Sequence, residues 1–189
     1  MDRKRGNQDI SDRKSEVKIL FAGAGGQGIL LMGKVLAQSL LLEGSQLSWF
    51  PSYGAEVRGG TCKCMVTSST DEIASPYIIH PDYLIVMNEP SYVKYTPSLD
   101  SKGVIFYNQS LLGENVLNTA LNNVSIPATE IASEIGNVRC ANMTILGCFI
   151  KHTGIVKIET VEQALPDLIE HKELLKLDIA ALDKGYSYV

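Results

Sequence analysis

Two stretches of the chain carry residue types able to do chemistry. The first, Gly23-Ala-Gly25-Gly26-Gln27-Gly28, lies between the apolar runs Val17–Phe21 and Ile29–Leu42. Glycine has no Cβ, so a glycine turn leading from a strand into a helix brings bare backbone N–H groups up to a phosphate at the positive end of the helix. Gly23, Gly25 and Gly28 fit G-x-G-x-x-G in that setting, the spacing of a dinucleotide loop. The plainer alternative is a tight strand-to-helix turn that binds nothing.

The second stretch is Pro51-Ser-Tyr53-Gly54-Ala-Glu56-Val-Arg58-Gly59-Gly60. Arg58 can offer a guanidinium fork to a phosphate or carboxylate, with Lys63 as a second charge and Glu56 orienting the arginine. A solvated Glu–Arg pair on a surface turn is the competing reading. Asn142, on an apolar helical stretch, is a third candidate. A buried amide must find partners, in neighbouring backbone or in a ligand, and backbone is the expectation.

One feature opposes a nicotinamide cofactor. Such a site wants an Asp or Glu at the end of the second strand, about 20 residues past the glycines, for the ribose hydroxyls. That strand end reads Ser48-Trp-Phe-Pro51. Glu43 has the spacing but falls on the helix side.

The elements that must position these residues follow from periodicity. Val17–Ala22 predicts a central strand covered on both faces. A helix over 28–43 stops at Gly44, and its apolar character all round predicts cover by the sheet and by another chain. Strands are expected at Gln46–Phe50, Thr61–Ser68, Asp82–Met87, Gly103–Tyr107 and Val124–Ile126. Helices are expected at Asn88–Leu99, weakly at Leu111–Leu121, from Pro127 onward, at Asn137–Thr153 with a close crossing at Gly147, and at Thr160–Glu170 and His171–Lys184, with Asn122-Asn123 as a turn. Alternating strands and helices give the fold class: α/β, a single three-layer Rossmann-like domain with a mostly parallel sheet flanked by helices. The domain is set at 17–189, with 1–16 a charged flexible tail.

With 45% hydrophobic and 20% charged residues, the composition is that of a soluble globular protein. The net charge of −4 argues against nucleic acid as the main partner, so any anion site must be local. Ile29–Leu42 is too short for a membrane span, which needs about 20 apolar residues. Cys62, Cys64, Cys140 and Cys148 include no C-x-x-C pair and read as small buried hydrophobes, and a reducing cytoplasm is expected. His80, His152 and His171 share no spacing that suggests a metal or a catalytic pair.

Taken together, Gly23-Ala-Gly-Gly-Gln-Gly28, Pro51–Gly60 with its Y-G-x-E-x-R-G-G core, Asp82-Tyr-Leu-Ile-Val86 and Asn142-Met-Thr-Ile-Leu-Gly147 occur in the order and spacing of one family. From Val17 to Tyr186 the chain resembles the gamma subunit of the 2-oxoacid:ferredoxin oxidoreductases. The resemblance implies oxidative decarboxylation of a 2-oxoacid to an acyl-coenzyme A, with electrons passed to ferredoxin. It further implies that the gamma part binds coenzyme A and helps assembly. Thiamine diphosphate and iron–sulfur clusters would sit in partner alpha, beta and, in some complexes, delta subunits. The isolated chain would then be inactive and able to pair with itself through its apolar surface. The glycines, Gln27, Tyr53, Gly54, Glu56, Arg58, Gly59, Gly60 and Asn142 would form the cofactor-binding set, with no catalytic residue and no metal ligand in this chain. By overall likeness the substrate preferred is 2-oxoglutarate. Two alternatives stay open: a free-standing NAD- or FAD-binding enzyme, and an interaction module without a ligand.

Overall fold

Among its described residues, 15–52, 61–113 and 116–188, the computed structural model contains six strands and six α-helices. The strands are β1 (Glu16–Ala24), β2 (Gln46–Ser52), β3 (Thr61–Ser69), β4 (Tyr83–Val86), β5 (Val104–Asn108) and β6 (Asn122–Ile126). The helices are α1 (Ile29–Leu42), α2 (Glu89–Tyr95), α3 (Ala128–Ile135), α4 (Ala141–Thr153), α5 (Ile158–Ala164) and α6 (Lys172–Ser187).

In β1 the run Ile19 to Ala22 is buried throughout, Ile19 and Phe21 in a larger core, Leu20 and Ala22 in a smaller one across the sheet. A strand apolar on both sides belongs in the middle, and the order is β2-β3-β1-β4-β5-β6. β4, β5 and β6 run parallel to β1 and to each other, whereas β3 is antiparallel to both β1 and β2. Five of the six strands therefore point the same way. The edges carry the less apolar strands: Pro51, which has no N–H to donate, lies in β2, and Asn122-Asn123 opens β6.

One layer consists of α1, α3, α4, α5 and α6 over the larger core. Phe149 of α4 is its centre, with ring centroids 5.2 Å from Phe106, 5.4 Å from Tyr83 and 6.5 Å from Phe21, all edge-on. Every residue of α4 from Ala141 to Ile150 is buried. The close crossing expected at Gly147 is present: a Cβ there would overlap the Leu182 carbonyl, and one on Gly185 would overlap the Thr144 carbonyl. Two glycines, one on α4 and one on α6, thus let the two backbones touch. The other layer is thinner, with α2, Ile78 and Leu112 over the smaller core.

Four expectations change. The first helix finds its cover inside the chain, between the sheet and α5, leaving Leu41 and Leu42 exposed at its C-terminal end. The described residues of Leu111–Leu121 form no α-helix; a 3-10 turn at Gln109–Leu111 leads into this stretch, and Leu112, Val116, Leu117 and Leu121 close the smaller core. Asn122-Asn123 is strand, not turn, because the pair takes parallel register against Val104 and Ile105. The Asn123 amide further donates to the carbonyls of Asn118 and Leu121, and its Oδ1 accepts from Tyr92 Oη. Tertiary pairing overrides the turn preference of asparagine. At the N-terminus, Glu16 joins the sheet opposite Ser69, and just before it the Ser15 carbonyl accepts from Thr70 N–H at 3.0 Å; residues 1–14 lie outside the described residues.

Candidate functional site

β1 ends at Ala24, and the turn that follows is closed by Gln27 N–H donating to the Ala24 carbonyl at 3.2 Å. The Gln27 side chain folds back into its own loop. Its Oε1 accepts from Ala24 N–H at 2.6 Å, and its Nε2 donates to the Met87 carbonyl at 3.3 Å, just past β4. Asn88 Nδ2 reaches the same Oε1 at 3.4 Å, while Asn88 Oδ1 accepts from Ser91 N–H at 3.0 Å and caps α2. Gln27 therefore ties the glycine turn to the end of β4. The sequence carried a signal for Asn88, since Asn-Glu-Pro is a helix-start pattern.

The glycines serve three separate ends. A Cβ on Gly23 would meet Gln27 Oε1 at 2.7 Å, Ile29 Cδ1 at 2.6 Å and Met87 Cβ at 3.0 Å, so this glycine is required by packing. Gly25 and Gly26 are exposed at the tip, where Gly26 takes φ +91° and nothing lies within 4 Å of a would-be Cβ. Gly28, at φ 71° and ψ 24°, is the N-cap of α1. The first turn of α1 has no side-chain cap and no acidic residue, leaving its N–H groups for an external acceptor.

Asn142 comes to this loop from the far side of the sequence. Its Nδ2 donates to the Gly28 carbonyl at 3.3 Å, its Oδ1 accepts from Met143 N–H at 2.9 Å, and a Cβ on Gly28 would overlap it. Both ends of the amide are thus used by backbone.

The setting of the turn matters as much as its atoms. α1 leaves β1 toward the larger core and α2 leaves β4 toward the smaller one, although the two strands are neighbours. Where consecutive crossovers part to opposite faces, a crevice opens at the carboxyl ends of the strands, the usual ligand position in such sheets. Tyr53, Gly54, Glu56, Arg58, Gly59 and Gly60 lie outside the described residues. The ends that flank them are fixed at this same edge: Thr61 pairs with Ala24, and Ser52 and Ala22 both pair with Lys63.

Lys63 projects to the α2 side, its Nζ 5.4 Å from the Tyr77 ring centroid and 5.8 Å from that of Tyr95. Lys94 Nζ lies 5.4 Å from the Tyr95 centroid and donates to Thr61 Oγ1 at 2.8 Å. Neither lysine forms an ion pair among the described residues. Lys94, Tyr77 and Tyr95 were not singled out from sequence, because the chain brings them to Lys63 from two other segments.

Glu43, the acid with ribose-like spacing, is engaged at the opposite end of α1. Its Oε1 accepts from Lys157 N–H and Thr160 Oγ1, both at 2.8 Å, at the start of α5. In a dinucleotide fold β2 would neighbour β1; here β3 stands between them. The thiols are poor nucleophiles. Burial pushes Cys64 to about 12 and Cys148 to about 11, burial assisted by Asp178 pushes Cys140 to about 12, and burial also raises Cys62. No group of three or more metal-binding side chains forms among the described residues, and no helix among them is long and apolar enough to cross a membrane.

Residues 18–188 match the model of the pyruvate ferredoxin/flavodoxin oxidoreductase family. The ketoisovalerate oxidoreductase subunit VorA of Methanothermobacter thermautotrophicus is 35% identical over 90% of this chain and 36% of its own length. The chain thus spans about a third of that relative. The 2-oxoglutarate synthase subunit KorC of Methanocaldococcus jannaschii is 34% identical over 92% of this chain and 94% of its own. Among solved structures, the gamma subunit of a keto/oxoacid ferredoxin oxidoreductase from Geobacter sulfurreducens superposes with a TM-score of 0.78 at 26% identity, covering 90% of this chain and 96% of that one.

Proposed function

The chain belongs to the pyruvate ferredoxin/flavodoxin oxidoreductase family, with the gamma subunits, and from that premise we propose that it binds coenzyme A and organises assembly in a multi-subunit 2-oxoacid:ferredoxin oxidoreductase. The complete enzyme converts a 2-oxoacid to an acyl-coenzyme A by oxidative decarboxylation and passes the electrons to ferredoxin. Thiamine diphosphate and iron–sulfur clusters belong to its alpha, beta or delta subunits, and the isolated chain is inactive. The complex works in the cytoplasm, and 2-oxoglutarate is mildly preferred as its substrate, by overall likeness to relatives such as KorC.

The observation that carries this reading is the position of the glycine turn. It stands at the carboxyl ends of β1 and β4, where the helices part, with an open tip at Gly26 and an uncapped α1 start. Coenzyme A brings a diphosphate that such amides hold well, and its thiol accepts the acyl group. The residues of this chain do the holding: the glycine amides and Arg58 bind the phosphates, while Gln27 and Asn142 keep the turn in shape. The position of Glu43 at α5 weighs against NAD or FAD.

The test is coexpression with the subunits encoded beside this chain, followed by coenzyme A-dependent reduction of ferredoxin with each 2-oxoacid. Arg58→Ala is expected to raise the KM for coenzyme A about tenfold, the value of one charge-assisted contact, without loss of assembly. A chain that fails to copurify with any such complex sinks the proposal. An Arg58→Ala complex that assembles poorly but keeps its coenzyme A dependence would make the chain an interaction module.

A further inference from the structure

We infer that Lys63 and Lys94, whose ammonium groups both lie against the ring of Tyr95, recognise the phosphorylated nucleoside end of a ligand, with the exposed rings of Tyr77 and Phe50 beside them for the base. The inference rests on the reading above, in which that ligand is coenzyme A, and it assigns the nucleotide end to a face of the sheet opposite α1. Three observations carry it.

The first is charge. In a chain of net charge −4, two ammonium groups share one aromatic ring, at 5.8 and 5.4 Å from the Tyr95 centroid, with no carboxylate paired to either among the described residues. Both positive charges lie within about 6 Å of one ring centroid, and a bound anion is attracted to each. Each ring takes one side of an ammonium and leaves other N–H donors free.

The second is shape. Phe50 and Tyr77 meet edge to face at 6.2 Å and are 39% and 56% exposed, so flat apolar surface lies within reach of the lysines. Stacking on such rings tolerates any base, while the ammonium groups select for phosphate.

The third is place. Lys63 pairs with Ala22, and Thr61, which accepts from Lys94, pairs with Ala24, the residue that opens the glycine turn. The two sites therefore share one edge of the sheet, with the glycine turn leading to α1 on one face and the lysines on the other. A ligand laid across that edge reaches both.

The assembled oxidoreductase tests this with ADP, which carries the nucleotide end alone, as an inhibitor against coenzyme A. ADP is expected to compete with coenzyme A in the wild-type complex. In the double variant Lys63→Gln/Lys94→Gln, the KM for coenzyme A and the Ki for ADP should each rise at least about tenfold, and Lys63→Arg/Lys94→Arg should recover most of the loss. Failure of ADP to compete overturns the inference. So does a glutamine variant with wild-type constants, or one whose defect is confined to copurification, which would assign the lysines to carboxylates of a partner subunit. If Arg58→Ala raises the KM for coenzyme A and the lysine variant does not, this inference falls while the coenzyme A reading stands. If neither changes it, both fall.

Discussion

The Gly28 carbonyl and the Asn142 amide, 114 residues apart in sequence, meet at 3.3 Å, and there is no room for a Cβ on Gly28 against that amide. The helix that starts at the glycine turn and α4, buried from Ala141 to Ile150, are thereby keyed together at their N-terminal ends. Gly28 also needs its positive φ of 71° for the N-cap, so two independent constraints fix one residue type.

Asn142→Ala removes one donor to the Gly28 carbonyl, which keeps Met32 N–H at 2.9 Å, and the side-chain acceptor for the buried Met143 N–H, and is expected to cost about 1–3 kcal/mol in urea unfolding. Gly28→Ala should cost more. In the double variant the overlap is gone and only the φ strain remains, so the combined loss should fall short of the sum. Strict additivity would mean that the two side chains do not meet.

Gln27→Glu keeps size and one acceptor but loses the donor to the Met87 carbonyl, setting a carboxylate against it. A drop of about 1–2 kcal/mol in stability is expected, with faster hydrogen exchange at the Ala24 amide. Unchanged stability would remove Gln27 from its place as the tie between the β1 and β4 ends, since the Met87 contact is the one the variant loses.

Gly147→Ala puts a methyl into the Leu182 carbonyl of α6. Backbone cannot swing aside as a long side chain does, so the helices must separate, at about 1–3 kcal/mol or more. Gly185→Ala acts on the same crossing from the other helix, and the pair should again be less than additive in thermal or urea melts. A melting temperature unaffected by Gly147→Ala would contradict the close crossing.

Asp178 is 4% exposed on α6, and burial raises its pKa above the ordinary value of 3.8, with the Cys140 thiol acting the other way. A folded pKa above the unfolded one means that the native state holds more protons, so stability falls as pH rises from 3.8 through the folded value. Glu162 is raised as well, by burial first and then by Asp183, and adds the same sign. Asp178→Asn should flatten this slope, gaining on the wild type at neutral pH and losing that advantage near pH 4. A variant with the wild-type pH profile would show that burial does not raise the Asp178 pKa in the folded state.

Which parts of the molecule were legible in sequence follows from the range of the forces involved. The glycine turn, the stop at Gly44 and the strands at Val17–Ala22 and Asp82–Met87 are local: they depend on φ values, missing Cβ atoms and apolar spacing within a few residues. At Gly44 the signal is complete, for φ is 84°, and Gly44 N–H and Ser45 N–H return to the carbonyls of Leu41 and Leu40. Even the Gly147 crossing could be anticipated, since a glycine inside an apolar helix has few other uses.

The misreadings share one cause. Asn122-Asn123 looks like a turn until β5 offers it a ladder, and Leu111–Leu121 has enough leucine for a helix but is spent on closing the smaller core. By itself the sequence determined the strand–turn–helix that presents amides at one edge of a sheet, and that no acid follows it at the end of β2. The tertiary structure alone decided that β3 slips between β1 and β2, that Glu43 caps α5, that Asn142 locks Gly28, and that Lys63 and Lys94 converge on Tyr95. Those contacts join segments tens of residues apart, and they exist only once burial of the two cores has fixed which strand lies beside which.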